Sequence, residues 1–99
     1  MIVIAGTVQV HPDMRDEALR AAIAMARATR AEPGCRAYRF TTDLEDPAII
    51  CIFEEWETEA ALAAHFQTPH MAAFRAALPG FLAGAPVLTR YEVRSTSPM

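Results

Sequence analysis

From Ile2 to Val10 the chain is apolar on both sides of an extended segment. Ile2, Ile4, Val8 and Val10 alternate on one face, and Val3, Ala5 and Thr7 line the other. A strand buried from both sides belongs in the middle of a sheet, so the rest of the chain has to supply its neighbours. The residues that follow do so in a fixed order. His11-Pro12 ends the strand, Asp13 is placed to cap a helix, and Asp16 sits in the first turn, where the helix dipole favours an acid. Leu19, Ala22, Ile23 and Ala26 then recur at helical spacing to about Ala31, and Pro33-Gly34 stops the helix.

Cys35 to Thr42 alternates as a second strand with Tyr38 and Phe40 on one face, and the acidic turn Asp43 to Pro47 leads into a third, Ala48 to Trp56. Thr58 can cap a helix from about Glu59 to Gln67. Thr68 and Pro69 start another, striped by Met71, Phe74 and Leu78. Pro79-Gly80 ends it, and Val87 to Val93 alternates as a last strand with one wet face. The order strand, helix, strand, strand, helix, strand is the split βαβ plan of a ferredoxin-like α+β domain with an antiparallel sheet. Residues 1–95 form this single domain and 96–99 a short polar tail.

A hydrophobic fraction of 53% in 99 residues is high for a domain of this size. Helices cover one face of the sheet, and the other, still largely apolar, is expected to meet a second copy in a closed homodimer. The formal net charge of −3 and the lack of a basic cluster exclude nucleic acid as a partner. No apolar run approaches the ~20 residues of a membrane span, and the first residues lack the charged start of a signal peptide. A cytoplasmic protein without a membrane partner is expected. Cys35 and Cys51 fall out of register across the hairpin, which predicts free thiols.

Several chemistries are excluded by absent residue types. All nine basic residues are arginine, so no lysine Schiff base can form. Ser95 and Ser97 lie in the tail, a poor place to hold a nucleophile. Gly6, Gly34, Gly80 and Gly84 stand singly, so no phosphate-cradling loop can be written and no nucleotide cofactor is expected.

What chemistry remains gathers between Glu54 and His70. Glu54 and Trp56 are two apart on one strand and share a face. Leu62, His65 and Phe66 share a helical stripe, so an imidazole and an indole are expected to line one hollow between the sheet and the second helix. His65 and His70 are five apart with Pro69 between them, which does not give a one-face metal pair, and no bound metal is expected. Each residue also has a plainer reading. His65 can be a helix histidine bonded to a carbonyl, Trp56, Tyr38 and Phe74 core residues, and His70 part of a helix start. Glu54, if buried, needs a partner such as Arg36.

The chain resembles the antibiotic biosynthesis monooxygenase family of dimeric α+β barrels over nearly its whole length, Ile2 to Val93. The resemblance is carried by Glu32-Pro33-Gly34-Cys35 with Tyr38, the Asp46-Pro47 turn, Glu54-Glu55-Trp56, Leu62 with His65, and Thr68-Pro69-His70. It implies oxidation of a quinol-like or polyhydroxylated aromatic by molecular oxygen, without flavin, haem or metal. His65 matches the family's helix histidine and is the implied general base, since an imidazole titrates near neutrality. Glu54 would orient it or a substrate hydroxyl. Trp56, Tyr38, Phe66, Phe74 and His70 would surround the ring. Haem degradation does not fit, because the chain has no asparagine and carries Gly6 at the corresponding place on the first strand. Two rival readings use the same scaffold: an isomerase of a small phosphorylated or hydroxylated carbonyl compound, holding it with Arg36, Arg39 or Arg75, and a non-enzymatic ligand-binding or stress-response dimer.

Overall fold

The computed structural model describes residues 1–99. Its elements are β1 (Ile2–Gln9), α1 (Arg15–Arg30), β2 (Cys35–Thr42), β3 (Ile49–Trp56), α2 (Glu59–His65), α3 (Pro69–Ala77) and β4 (Val87–Glu92), with single 3-10 turns at Pro12–Met14 and Leu78–Gly80. The strands form one antiparallel sheet in the order β2-β3-β1-β4. This is the ferredoxin-like α+β fold, with β1 in the interior as its two-sided apolarity requires.

The register sorts the side chains. Ile4 stands opposite Glu54, which stands opposite Tyr38, and Ile2 stands opposite Trp56. Because strand side chains alternate, Ile2, Ile4, Val8, Tyr38, Phe40, Ile50, Ile52, Glu54 and Trp56 all face the helices. They pack there in two apolar clusters. One holds Ile2, Met25, Ala26, Tyr38, Trp56 and Leu62, the other Val8, Val10, Ala18, Ile50 and Ile52. Gly6 allows β4 to approach closely, since a Cβ at that position would lie 2.0 Å from the Val87 carbonyl oxygen.

Three local expectations are corrected. Asp13 caps nothing: it lies inside the 3-10 turn, and α1 begins at Arg15 with no side-chain cap. The second helix ends at His65 rather than Gln67. Every residue of β4 is exposed, so both of its faces are wet in the protomer instead of one. No helix is long and apolar enough to cross a membrane. Cys35 stands opposite Trp56 and Cys51 opposite Thr41, and both thiols are free.

Candidate active site

Two capped helix starts set the geometry. Thr58 Oγ1 accepts from Ala61 N at 3.1 Å and Thr68 Oγ1 from Met71 N at 3.3 Å, so α2 and α3 begin at fixed points either side of a three-residue break. The loop after α1 is held against the start of α2. Gly34 adopts φ +81°, its carbonyl accepts from Glu57 N at 2.8 Å, and a Cβ there would lie 2.6 Å from that of Ala61. This close approach brings Glu32 over α2.

Glu32 Oε2 is 2.8 Å from His65 Nδ1 and 2.7 Å from His70 Nε2. An ionised carboxylate only accepts, so both imidazoles donate to one oxygen, at the lengths of charge-assisted bonds. Spacing gave no one-face pair, yet His65 and His70 meet at Glu32. The break between α2 and α3 turns the second helix, so wheel geometry does not carry across it. These three atoms lie within 4.8 Å of one another and have the chemistry of a metal site. In this structure the three side chains are joined by hydrogen bonds.

Trp56 is fully buried, and its Nε1–H donates to Glu54 Oε1 at 2.9 Å. The His65 ring lies 4.8 Å from the indole and 5.6 Å from the Tyr38 ring. Glu54 thus binds the indole and not the imidazole or Arg36, which falls in the β-bulge between Cys35 and Ala37 and is exposed. The hydrogen bond to His65 is made by Glu32 and not by Glu54, whose other expected role, toward a substrate hydroxyl, is untouched by this.

The most enclosed hollow lies away from α2, where only an open cleft is lined by Glu59, Leu62 and Phe66. It is a cavity of about 110 Å³ between the sheet and helices α1 and α3, and thirteen of its sixteen lining residues are hydrophobic. Tyr38, Phe40, Glu54 and Phe74 line it, and Glu54 and Arg75 are its only charged residues. Trp56, His65, His70 and Phe66 do not line it. His65, 1% exposed, lies behind the Tyr38 and Glu54 end of the wall, and Phe66 is on the surface under the Arg75 guanidinium. Glu54 Oε2, Tyr38 Oη and His65 Nε2 make no hydrogen bond within the protein, and of the three residues only Glu54 and Tyr38 line the cavity.

Burial raises the Glu54 carboxyl above the usual carboxylate range. The Trp56 N–H and nearby His65 pull it down, and Glu32 adds to the rise. Burial likewise raises the Tyr38 hydroxyl, which stays protonated as a donor, and the Cys35 thiol. Because the folded state holds the Glu54 proton more tightly than the unfolded chain, this contribution to stability is full below the ordinary carboxylate value. It is lost as pH rises through the raised one. Glu54→Gln keeps an acceptor for the indole and removes that loss. Its melting temperature is expected to gain on wild type as pH goes from 4 to 8, by a few degrees for each ~1 kcal/mol. A gap that does not widen with pH would contradict the buried charge.

The antibiotic biosynthesis monooxygenase family model matches residues 1–77. The chain belongs to this family. It is 35% identical over 95 residues to "Uncharacterized protein sll1783" of Synechocystis, a match covering 96% of this chain and 65% of that relative's length. It is 32% identical over 74 residues to "Putative monooxygenase YcnE" of Bacillus subtilis, covering 75% and 78% of the two chains. Among solved structures, Rv0793 of Mycobacterium tuberculosis superposes with a TM-score of 0.90 at 25% identity, over 98% of each chain. The family match includes the whole Glu32, His65 and His70 cluster and the Glu54 and Trp56 pair.

Proposed function

We propose that the chain is a monooxygenase that oxidises a quinol-like or polyhydroxylated aromatic with molecular oxygen, using no cofactor. The observation that carries this reading is an apolar cavity lined at one end by the Glu54 carboxylate and the Tyr38 phenol, with the His65 ring 5.6 Å from that of Tyr38 behind this wall. Dry cavities of about 150 Å³ hold benzene, so 110 Å³ with an open mouth suits a single ring. A hydroxyl of that ring docks between Glu54 and Tyr38, and its proton passes through one bridging water to His65 Nε2 behind them. The resulting phenolate passes electrons to oxygen. One oxygen atom enters the ring as a carbonyl, the other leaves as water, and the substrate supplies all the electrons. Apolar walls shield the anion and the reduced oxygen from bulk water.

Homodimerisation belongs to the same proposal. Val87, Phe53 and Tyr91 are exposed on the sheet face that no helix covers, beside Val3 and Ala5. A second copy laid on that face would cover them. Arg75 on the cavity wall supports a second reading, an isomerase that holds an anionic carbonyl compound.

Oxygen uptake decides between them. The purified protein, with no flavin or metal added, is expected to consume oxygen with simple hydroquinones above the spontaneous rate and to saturate. No uptake above background for any quinol would remove the oxygenase reading, and a stable monomer in sedimentation at micromolar concentration would remove the dimer.

A further inference from the structure

We infer that Glu32 is the positioning residue that fixes the working tautomer of His65, with His70 as the second donor that holds its carboxylate in place. Only the turnover measurements below rest on the proposed oxygenase reading.

The geometry is specific. Glu32 Oε2 receives both imidazoles, at 2.8 Å and 2.7 Å. A carboxylate that accepts from His65 Nδ1 requires the proton on Nδ1, which leaves Nε2 with its lone pair bare. Nε2 makes no hydrogen bond within the protein, whereas Nδ1 is held by Glu32. The two nitrogens lie on different edges of the ring, so fixing the first toward Glu32 turns the second away from it. Without such an acceptor an imidazole favours the other tautomer, and Nε2 would carry a hydrogen and could not act as a base.

His65 is faced by Glu32 from the loop after α1, Glu54 from β3, Tyr38 from β2 and His70 from α3. Glu54 and Tyr38 belong to the cavity. Glu32 and His70 lie on the other side, where exposure rises from 1% at His65 to 12% at Glu32 and 27% at His70. His70 Nε2–H donates to the same oxygen as His65 Nδ1–H, so it holds the carboxylate in place from the surface side and takes no proton from it. The proton that His65 accepts on Nε2 returns to the reduced oxygen as it leaves as water, which restores the bare Nε2.

Nitrogen-15 NMR of the imidazoles tests this without substrate. Wild-type His65 is expected to be the Nδ1-protonated tautomer at neutral pH. Glu32→Gln keeps an amide oxygen as acceptor and is expected to preserve it, whereas Glu32→Ala is expected to shift His65 toward the Nε2-protonated form. A wild-type His65 already protonated at Nε2, or a tautomer unchanged in Glu32→Ala, overturns the assignment, and the wild-type measurement stands even if a variant fails to fold. His70→Ala checks the neighbour. It is expected to leave the tautomer alone, because Glu32 still accepts from Nδ1, and to lower kcat less than Glu32→Ala does. A His65 shifted toward the Nε2-protonated form in His70→Ala, or a larger loss of kcat there than in Glu32→Ala, would make His70 and not Glu32 the determinant. If wild type consumes no oxygen while the tautomer results hold, the oxygenase reading fails and the Glu32 assignment stands.

Discussion

Replacing Trp56 with alanine is expected to remove about 3–5 kcal/mol of folding stability, the cost typical of deleting a buried large aromatic. The indole is 0% exposed and packs in the cluster of Ile2, Met25, Ala26, Tyr38 and Leu62, edge-on to the Tyr38 ring at 6.5 Å and 4.8 Å from the His65 ring. Alanine leaves a void lined by rigid elements: β1 on one side, α1 and α2 on the other. It also strips the Glu54 carboxylate of its N–H donor, adding the cost of a buried acceptor left unmet, about 1–3 kcal/mol. In a domain whose whole stability is of the order of 5–15 kcal/mol, such a variant sits near unfolding. Trp56→Phe separates the terms, since it keeps most of the ring and loses only the donor. Urea unfolding of both variants measures this. The alanine variant is expected to be less stable than the phenylalanine one, and a loss under about 1 kcal/mol in Trp56→Ala would mean that the indole is not the centre of that cluster.

The fold was legible because its determinants are local. Alternation in Ile2 to Val10 places the central strand, and the two threonine caps act through their own neighbours, Ala61 and Met71. Asp13 fails for the same local reason: Pro12 closes a 3-10 turn, and the aspartate falls inside it. The last strand shows a different limit. Alternation says which residues share a face, but not whether anything covers that face, and no element of the protomer covers β4.

Glu32 was out of reach of spacing. Its partners are 33 and 38 residues away, and the contact exists only because Gly34 folds the loop onto α2. The available signal was that Glu32-Pro33-Gly34-Cys35 stands among the residues that carry the family resemblance, although no role could be read from them. Helical spacing could not show that His65 and His70 meet, because the chain turns between them. The most enclosed hollow lies at α3 and not at α2, since the wall under Glu54 is closed by Phe74 and Met71.

The largest effect on turnover is expected at His65. If Nε2 accepts the proton of the substrate hydroxyl, His65→Gln removes the base while keeping an amide of similar length to fill the site. Loss of a general base typically costs 10²–10⁴-fold in rate, about 3–5 kcal/mol of barrier. The loss should fall on kcat, because the imidazole lies behind the cavity wall and contributes little to holding the ring. Glu54→Gln should behave differently. Its side chain faces the cavity and meets the hydroxyl in the ground state, so its loss should raise KM at least as much as it lowers kcat. The contrast is informative because the two side chains are otherwise alike in depth, and each variant has an independent check on folding in its unfolding curve. A His65→Gln enzyme that keeps wild-type kcat while Glu54→Gln loses it would move the proton transfer to the carboxylate. Burial raises that group's proton affinity, so it would be a stronger base than an exposed glutamate, and the imidazole would be left to stabilise its charge.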